Sequence, residues 1–198
     1  GFSARLFGQN GDIPAAGDYD GDGKTDLGVF RPSTGTFYLQ RSNAGFGSVQ
    51  FGTNGDKPVP GDYDGDGKTD VAVFRPSTGF WYLQRTTAGF IGVSFGQNGD
   101  YPAEGDYDAD GKTDIAVFRP STGYWYISGT TAGFSATLFG NSQDRPAPGD
   151  YDGDGKTDKA VFRTTTGGWY LQRSTAGYLG VQFGAVGDLP VPAAYVSN

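Results

Sequence analysis

Four short segments hold most of the chemistry this chain can offer. Asp18-Tyr-Asp20-Gly-Asp22-Gly-Lys24-Thr-Asp26 returns as Asp62–Asp70, as Asp106–Asp114 with Ala109 in place of one Gly, and as Asp150–Asp158. Each carries carboxylates at loop positions 1, 3, 5 and 9 and a Gly at position 6. Four carboxylates in so short a span repel one another, so without a cation they must take up protons or splay apart. A hard divalent cation removes that conflict. Calcium accepts six to eight oxygens at about 2.3–2.6 Å in flexible geometry, whereas magnesium demands a compact octahedron and keeps its waters. The expected ligands are the side chains of Asp18, Asp20, Asp22 and Asp26; of Asp62, Asp64, Asp66 and Asp70; of Asp106, Asp108, Asp110 and Asp114; and of Asp150, Asp152, Asp154 and Asp158. The carbonyls of Lys24, Lys68, Lys112 and Lys156 are the expected backbone ligands, with water completing each shell. Gly67 permits the sharp bend, Gly65 is expected at positive φ, and Ala109 should be slightly strained there. Loops that merely favour Asp as a turn residue would not need four acids each, four times over.

Composition agrees. Of the 22 acidic residues only Glu104 is not Asp, and the net charge is −7. Bound calcium would offset that charge, which otherwise opposes compaction. Each ion at ten times its dissociation constant adds about 1.4 kcal/mol, a large share of a marginal stability. The absence of Cys excludes a disulfide framework and thiolate zinc sites. The absence of His removes the usual neutral-pH acid/base, and the acidity argues against a nucleic-acid partner.

The elements that position these loops follow from an internal repeat. Phe-Gly stands at Phe7, Phe51, Phe95, Phe139 and Phe183, always 44 residues apart, with no insertion or deletion. The 198 residues divide into a partial unit 1–12, repeats 13–56, 57–100, 101–144 and 145–188, and a terminal strand 189–198, all in one repeat domain. Within the second repeat four strands are expected: Val59–Tyr63, Val71–Arg75, Phe80–Arg85 and Ile91–Phe95. They are rich in β-branched and aromatic residues and closed by Gly, Pro or Asp turns. Val71-Ala72-Val73-Phe74 is apolar on both faces, while Trp81 and Leu83 alternate with Tyr82 and Gln84. No helix can be placed, because Gly and Pro recur too often. Four-stranded units of this length, repeated, imply an all-β fold, a β-propeller with four complete blades and part of a fifth. That fifth would comprise only Ser3–Phe7 and Pro190–Tyr195, to be completed by upstream strands or by association with another copy. Lys159 stands in a column otherwise Leu27, Val71 and Ile115, which suits either an open edge at the fourth blade or a side chain reaching solvent.

Three further sets of residues bear on function. Phe37, Trp81, Trp125 and Trp169, with Tyr38, Tyr82, Tyr126 and Tyr170, could stack on sugars, but a column present in every repeat is first a packing column. Arg31, Arg75, Arg119 and Arg163 are expected to pair with the Asp column of Asp12, Asp56, Asp100, Asp144 and Asp188 or with loop carbonyls. Glu104, outside every column, reads as solvated surface. Catalysis finds little support, since the acids are committed to loops or turns and no nucleophile has a His base.

The Phe-Gly pairs, the Asp-Tyr-Asp-Gly-Asp-Gly-Lys-Thr-Asp loops and the apolar strand after each resemble FG-GAP repeats of the VCBS type over essentially the whole chain. Such repeats occur in integrin α-subunit propellers and in many secreted bacterial proteins. The departure is Phe-Arg-Pro or Phe-Arg-Thr where the family name leads one to expect Gly-Ala-Pro. The resemblance implies a calcium-stabilised propeller serving extracellular adhesion or ligand recognition, with a protein or glycan ligand. A lectin-like module and a non-binding spacer are the alternatives. Weak calcium sites need extracellular ion levels, so secretion is expected. No signal peptide begins the chain, so one must have been removed or have lain upstream. No stretch approaches the roughly 18 to 20 apolar residues of a membrane span.

Overall fold

The computed structural model describes residues 6–190. Among these every regular element is a strand. The first blade comprises β1 (Ile13–Pro14), β2 (Leu27–Arg31), β3 (Thr36–Arg41) and β4 (Gly45–Gln50). The second comprises β5 (Lys57–Pro58), β6 (Val71–Arg75), β7 (Phe80–Arg85) and β8 (Gly89–Ser94). The third comprises β9 (Tyr101–Pro102), β10 (Ile115–Arg119), β11 (Tyr124–Gly129) and β12 (Gly133–Leu138). The fourth comprises β13 (Asp144–Pro146), β14 (Lys159–Arg163), β15 (Gly168–Arg173) and β16 (Gly177–Gln182). Each is an antiparallel sheet in sequence order, innermost strand first.

The second and third strands of the second repeat lie where the residue pattern places them. The first and fourth do not. Instead of Val59–Tyr63, the innermost strand is Lys57–Pro58, paired Lys57↔Phe74 and Pro58↔Val73. The same register continues past the strand, through Val59 N–H to the Ala72 carbonyl at 3.0 Å and a bridge between Gly61 and Asp70. Pro58 and Pro60 occupy pairs that exchange no hydrogen bond with β6, so their missing N–H groups cost nothing on this edge. Proline interrupts the ladder without shifting it. The outermost strand is Gly89–Ser94, not Ile91–Phe95, because pairing with β7 begins directly at the turn with Arg85↔Gly89. The strands expected at Ser3–Phe7 and Pro190–Tyr195 fall almost wholly outside the described residues; Leu6, Phe7 and Pro190 are not in a strand.

The core lies between blades. Phe30, Phe37 and Leu39 of the first blade pack on Val71, Val73 and Tyr82 of the second, and Phe74, Trp81 and Leu83 pack on Val117 and Tyr126 of the third. Phe118 and Trp125 meet Val161 and Tyr170 in the same manner. Each fully buried apolar side chain of this size contributes about 1.5–3 kcal/mol. No blade covers both of its own faces, so the contact between neighbours is what stabilises the fold. The corresponding face of the fourth blade, with Tyr151, Trp169, Leu171, Leu179, Val181 and Phe183, is a shallow open hollow of about 340 Å³.

Lys159 is not on that open face. Its strand neighbours Val161 and Tyr170 face the third blade, and Lys159 lines a cavity of about 310 Å³ with Tyr107 and Ile127. Desolvation there pulls its ammonium pKa down, partly opposed by Asp158. The exposed member of the column is Leu27, on the outer face of the first blade. Innermost strands of all four blades line a central channel of about 360 Å³.

Candidate metal sites

Each acidic loop leaves the innermost strand and re-enters the blade at the second strand, so both ends are anchored by the sheet. In the second loop the Asp62 carboxylate turns inward and accepts backbone N–H groups from Gly65 (2.7 Å), Asp66 (3.2 Å) and Gly67 (2.8 Å). This winds the loop around its first residue, and Gly65 and Gly67 both adopt positive φ, near 78° and 82°. Ala109 takes φ 60° at the position of Gly65 and is the only non-glycine residue there.

The other aspartates reach across to the turn between the third and fourth strands. Asp64 Oδ2 accepts the N–H groups of Thr87 and Ala88 at 3.0 and 2.7 Å. Asp66 Oδ2 accepts the hydroxyls of Thr86 and Thr87 at 2.6 and 2.5 Å, while its Oδ1 takes the Lys68 N–H at 3.0 Å. Asp70, wholly buried, accepts the N–H of Tyr63 at 2.9 Å and of Thr86 at 2.7 Å. The hydroxyl columns Ser42, Thr86, Thr130, Ser174 and Thr87, Thr131, Thr175 are part of the site that loop composition does not reveal, although their 44-residue spacing is a signal that could have found them.

Two electrostatic environments result. Hydroxyls from Thr86 and Thr87 hold Asp66 below the usual carboxylate range; Thr130 and Thr131 do so for Asp110, and Ser174 and Thr175 bring Asp154 down to about 2. Desolvation instead raises Asp70 and Asp114, against the backbone N–H groups they accept and with the charges of Asp64 and Asp108 adding to the rise. An anionic oxygen is thus secured at position 5 of these loops, and a dehydrated one sits at position 9.

Carboxylate oxygens of Asp18, Asp20 and Asp22 lie within 4.8 Å of one another, as do those of Asp62, Asp64 and Asp66. In the later loops the trios are Asp106, Asp108, Asp114 and Asp150, Asp152, Asp158. Positions 1 and 3 therefore take part throughout, position 5 in two loops and position 9 in the other two. The position-7 lysines Lys24, Lys68, Lys112 and Lys156 donate their N–H groups to the position-5 carboxylate. At position 3 one oxygen, Oδ1 of Asp20, Asp64, Asp108 and Asp152, is buried and receives no hydrogen bond from the described residues. A buried anionic oxygen left unpaired is costly. The residues therefore fit an oxygen-coordinated divalent cation, and the donor set contains no nitrogen or sulfur that would favour a softer metal.

The remaining Asp column is not a metal column. Asp12, Asp56, Asp100 and Asp144 each take both prongs of a guanidinium, from Arg31, Arg75, Arg119 and Arg163, at 2.8–3.1 Å. The same arginines lie 4.2–4.5 Å over the rings of Tyr38, Tyr82, Tyr126 and Tyr170. Phe37, Trp81 and Trp125 are wholly buried, and the indoles of Trp81 and Trp125 donate to the Phe95 and Phe139 carbonyls. These are packing residues, whereas the exposed aromatic column is Phe46, Phe90, Phe134 and Tyr178 on the outermost strands, 60–68% exposed. Glu104 is not solvated surface: it lines the central channel, and burial pushes its carboxyl up to about 7.

Blades of four antiparallel strands around a channel, each with an acidic loop after its innermost strand, define a β-propeller of acidic-loop repeats. The FG-GAP-like repeat profile matches residues 18–73 and 106–161, and the FG-GAP repeat profile matches 54–93. The chain belongs to the FG-GAP repeat family. No curated protein matches it in sequence. Among solved structures it is similar to BBS1N in complex with ARL6DN (13% identity, TM-score 0.54, covering 87% of this chain and 54% of that one). It is also similar to an Agrocybe aegerita lectin described for recognition of non-reducing terminal N-acetylglucosamine (17% identity, TM-score 0.55, 86% and 51% coverage). The chain spans about half the length of these proteins, and at such identities the likeness shows the fold alone. Among the described residues no helix is long and apolar enough to cross a membrane.

Proposed function

We propose that this chain is a calcium-stabilised extracellular binding module of the adhesion type, with one structural ion in each acidic loop and no catalytic activity. The observation that carries the reading is the buried, unpaired Oδ1 at loop position 3, repeated in all four blades. A turn that merely favoured Asp would satisfy that oxygen with an N–H, as it satisfies Oδ2. An ion there would tie the loop to the turn between third and fourth strands, since the carboxylates of Asp64, Asp66 and Asp70 already contact that turn. Extracellular placement follows from the millimolar calcium that weak oxygen sites require.

Carbohydrate recognition is the second reading. It rests on the exposed rings of Phe46, Phe90, Phe134 and Tyr178, not on the buried Trp81 and Trp125. One fold relative is a protein complex and the other a sugar-recognising lectin, so the fold supports either kind of ligand. Thermal melting in calcium against EGTA tests the ions. A glycan array probed in both buffers tests the ligand. Calcium-dependent stability with no glycan signal favours a protein ligand, whereas glycan binding lost in a Phe90→Ala variant favours the lectin reading.

A further inference from the structure

We propose that the four acidic loops load calcium cooperatively, coupled through direct contacts between loops of neighbouring blades. This inference rests on the calcium reading above and goes beyond it. The Thr69 N–H of the second loop donates to the Asp18 carbonyl of the first at 2.6 Å. Thr113 donates to Asp62 at 2.7 Å and Thr157 to Asp106 at 2.6 Å, so every adjacent pair of loops is joined in one sense. The donor is the residue immediately before the position-9 aspartate of one loop, and the acceptor belongs to the position-1 aspartate of the preceding loop. One hydrogen bond therefore fixes the backbone of a ligand residue in one loop and of the residue next to a ligand in the other.

The side chains dovetail at the same place. A Cβ on Gly17, Gly61 or Gly105 would lie 2.5–2.6 Å from the side chain of Thr69, Thr113 or Thr157, so only glycine lets the loops approach. The stem of Lys68 covers Gly21 and that of Lys112 covers Gly65, each 3.0 Å from the point where a methyl group would stand. Without an ion, mutual repulsion of the carboxylates favours an open loop. An ion that closes one loop also sets the Thr–Asp hydrogen bond and orders part of its neighbour. The next ion then has less ordering left to do, which is positive coupling through shared conformational entropy.

The test is a titration of calcium into the chelator-stripped full chain, followed by isothermal calorimetry and by terbium luminescence. The wild type should take up ions with a Hill coefficient clearly above 1, from coupling of roughly fivefold or more per neighbour. Gly61→Ala touches no carboxylate and lies at a backbone conformation open to alanine, yet pushes Thr113 away. It should bind the same number of ions with a lower Hill coefficient and a several-fold higher midpoint. Gly92→Ala, whose methyl meets only ordinary contacts with Tyr82, should titrate like the wild type. Lys112→Ala is the milder probe should Gly61→Ala fail to fold, and it should also lower the Hill coefficient. Uptake of several ions by the wild type with a Hill coefficient of 1 would overturn the coupling and leave the calcium reading intact. No uptake at all would overturn both.

Discussion

Asp70 and Thr86 are joined by a hydrogen bond of 2.7 Å from the threonine N–H to the buried carboxylate, across sixteen residues of sequence. The last aspartate of the acidic loop thereby holds the turn on the far side of the same blade. Asp26 with Ser42, Asp114 with Thr130 and Asp158 with Ser174 repeat the bond at 2.6–2.7 Å. Because the backbone bonds this carboxylate directly, the ninth position is a structural residue whether or not it also ligates. Asp70→Ala should cost about 2–4 kcal/mol in EGTA as well as in calcium, since two backbone donors lose their buried acceptor. Equal melting of variant and wild type in EGTA would refute this.

Position 3 should behave differently. Asp64→Asn keeps an oxygen for the Thr87 and Ala88 N–H groups but replaces the unpaired Oδ1 by a donor. Alanine would lose those hydrogen bonds too, so asparagine separates ion binding from loop structure. Losing one ion at ten times its dissociation constant removes about 1.4 kcal/mol, or about 3–5 °C of melting temperature for a chain of this size. The drop should appear in calcium and vanish in EGTA, which paired melting curves would reveal.

Ala109 occupies φ 60°, a region that costs a residue with a Cβ about 1–2 kcal/mol. Glycine removes the strain but enlarges the freedom of the unfolded chain by about 0.5–1 kcal/mol. Ala109→Gly should therefore stabilise the protein by about 0.5–1 kcal/mol. Chemical denaturation would show the midpoint rising at unchanged slope; a fall would mean the methyl contributes packing that outweighs the strain.

Arg75 pairs with both oxygens of buried Asp56 and stacks on Tyr82. Lysine reproduces the charge but neither the fork nor the planar stack. Arg75→Lys should cost about 1–2 kcal/mol. Arg75→Ala, which strands a buried carboxylate, should cost about 3–5 kcal/mol. Urea unfolding of the two variants would order them, and equal losses would show that only the charge matters.

The Glu104 carboxyl, raised to about 7 by burial against the channel, gives a pH dependence of definite sign. The folded state holds this proton more tightly than the unfolded chain does. Its contribution is therefore fully present below pH about 4.5, is lost as pH rises towards 7, and is flat beyond. Glu104→Gln should raise stability at pH 8 by about 1–2 kcal/mol relative to wild type and have little effect at pH 4. Denaturation at both pH values checks this, and an equal gain at the two would show that charge burial is not the cause.

Much of this protein is written in one period. The 44-residue spacing determines the blade, the acidic loop and, through the fixed nineteen-residue separation of Asp56 and Arg75, the ion-pair column. Those features are local to one repeat, where spacing and residue type decide which groups meet. Strand ends were less legible, because Pro58 and Pro60 interrupt a ladder whose register nevertheless continues to Gly61 and Asp70. What no single repeat contains is its neighbour. That Lys159 faces the third blade, that Glu104 lies against the channel, that Trp81 is covered and Phe90 is not, and that Thr113 docks on Gly61 all depend on how one blade is stacked on the next. Side-chain alternation says which residues share a face of a strand. Only the packing of adjacent sheets decides which face is desolvated, and desolvation sets both the buried core and the shifted carboxyls.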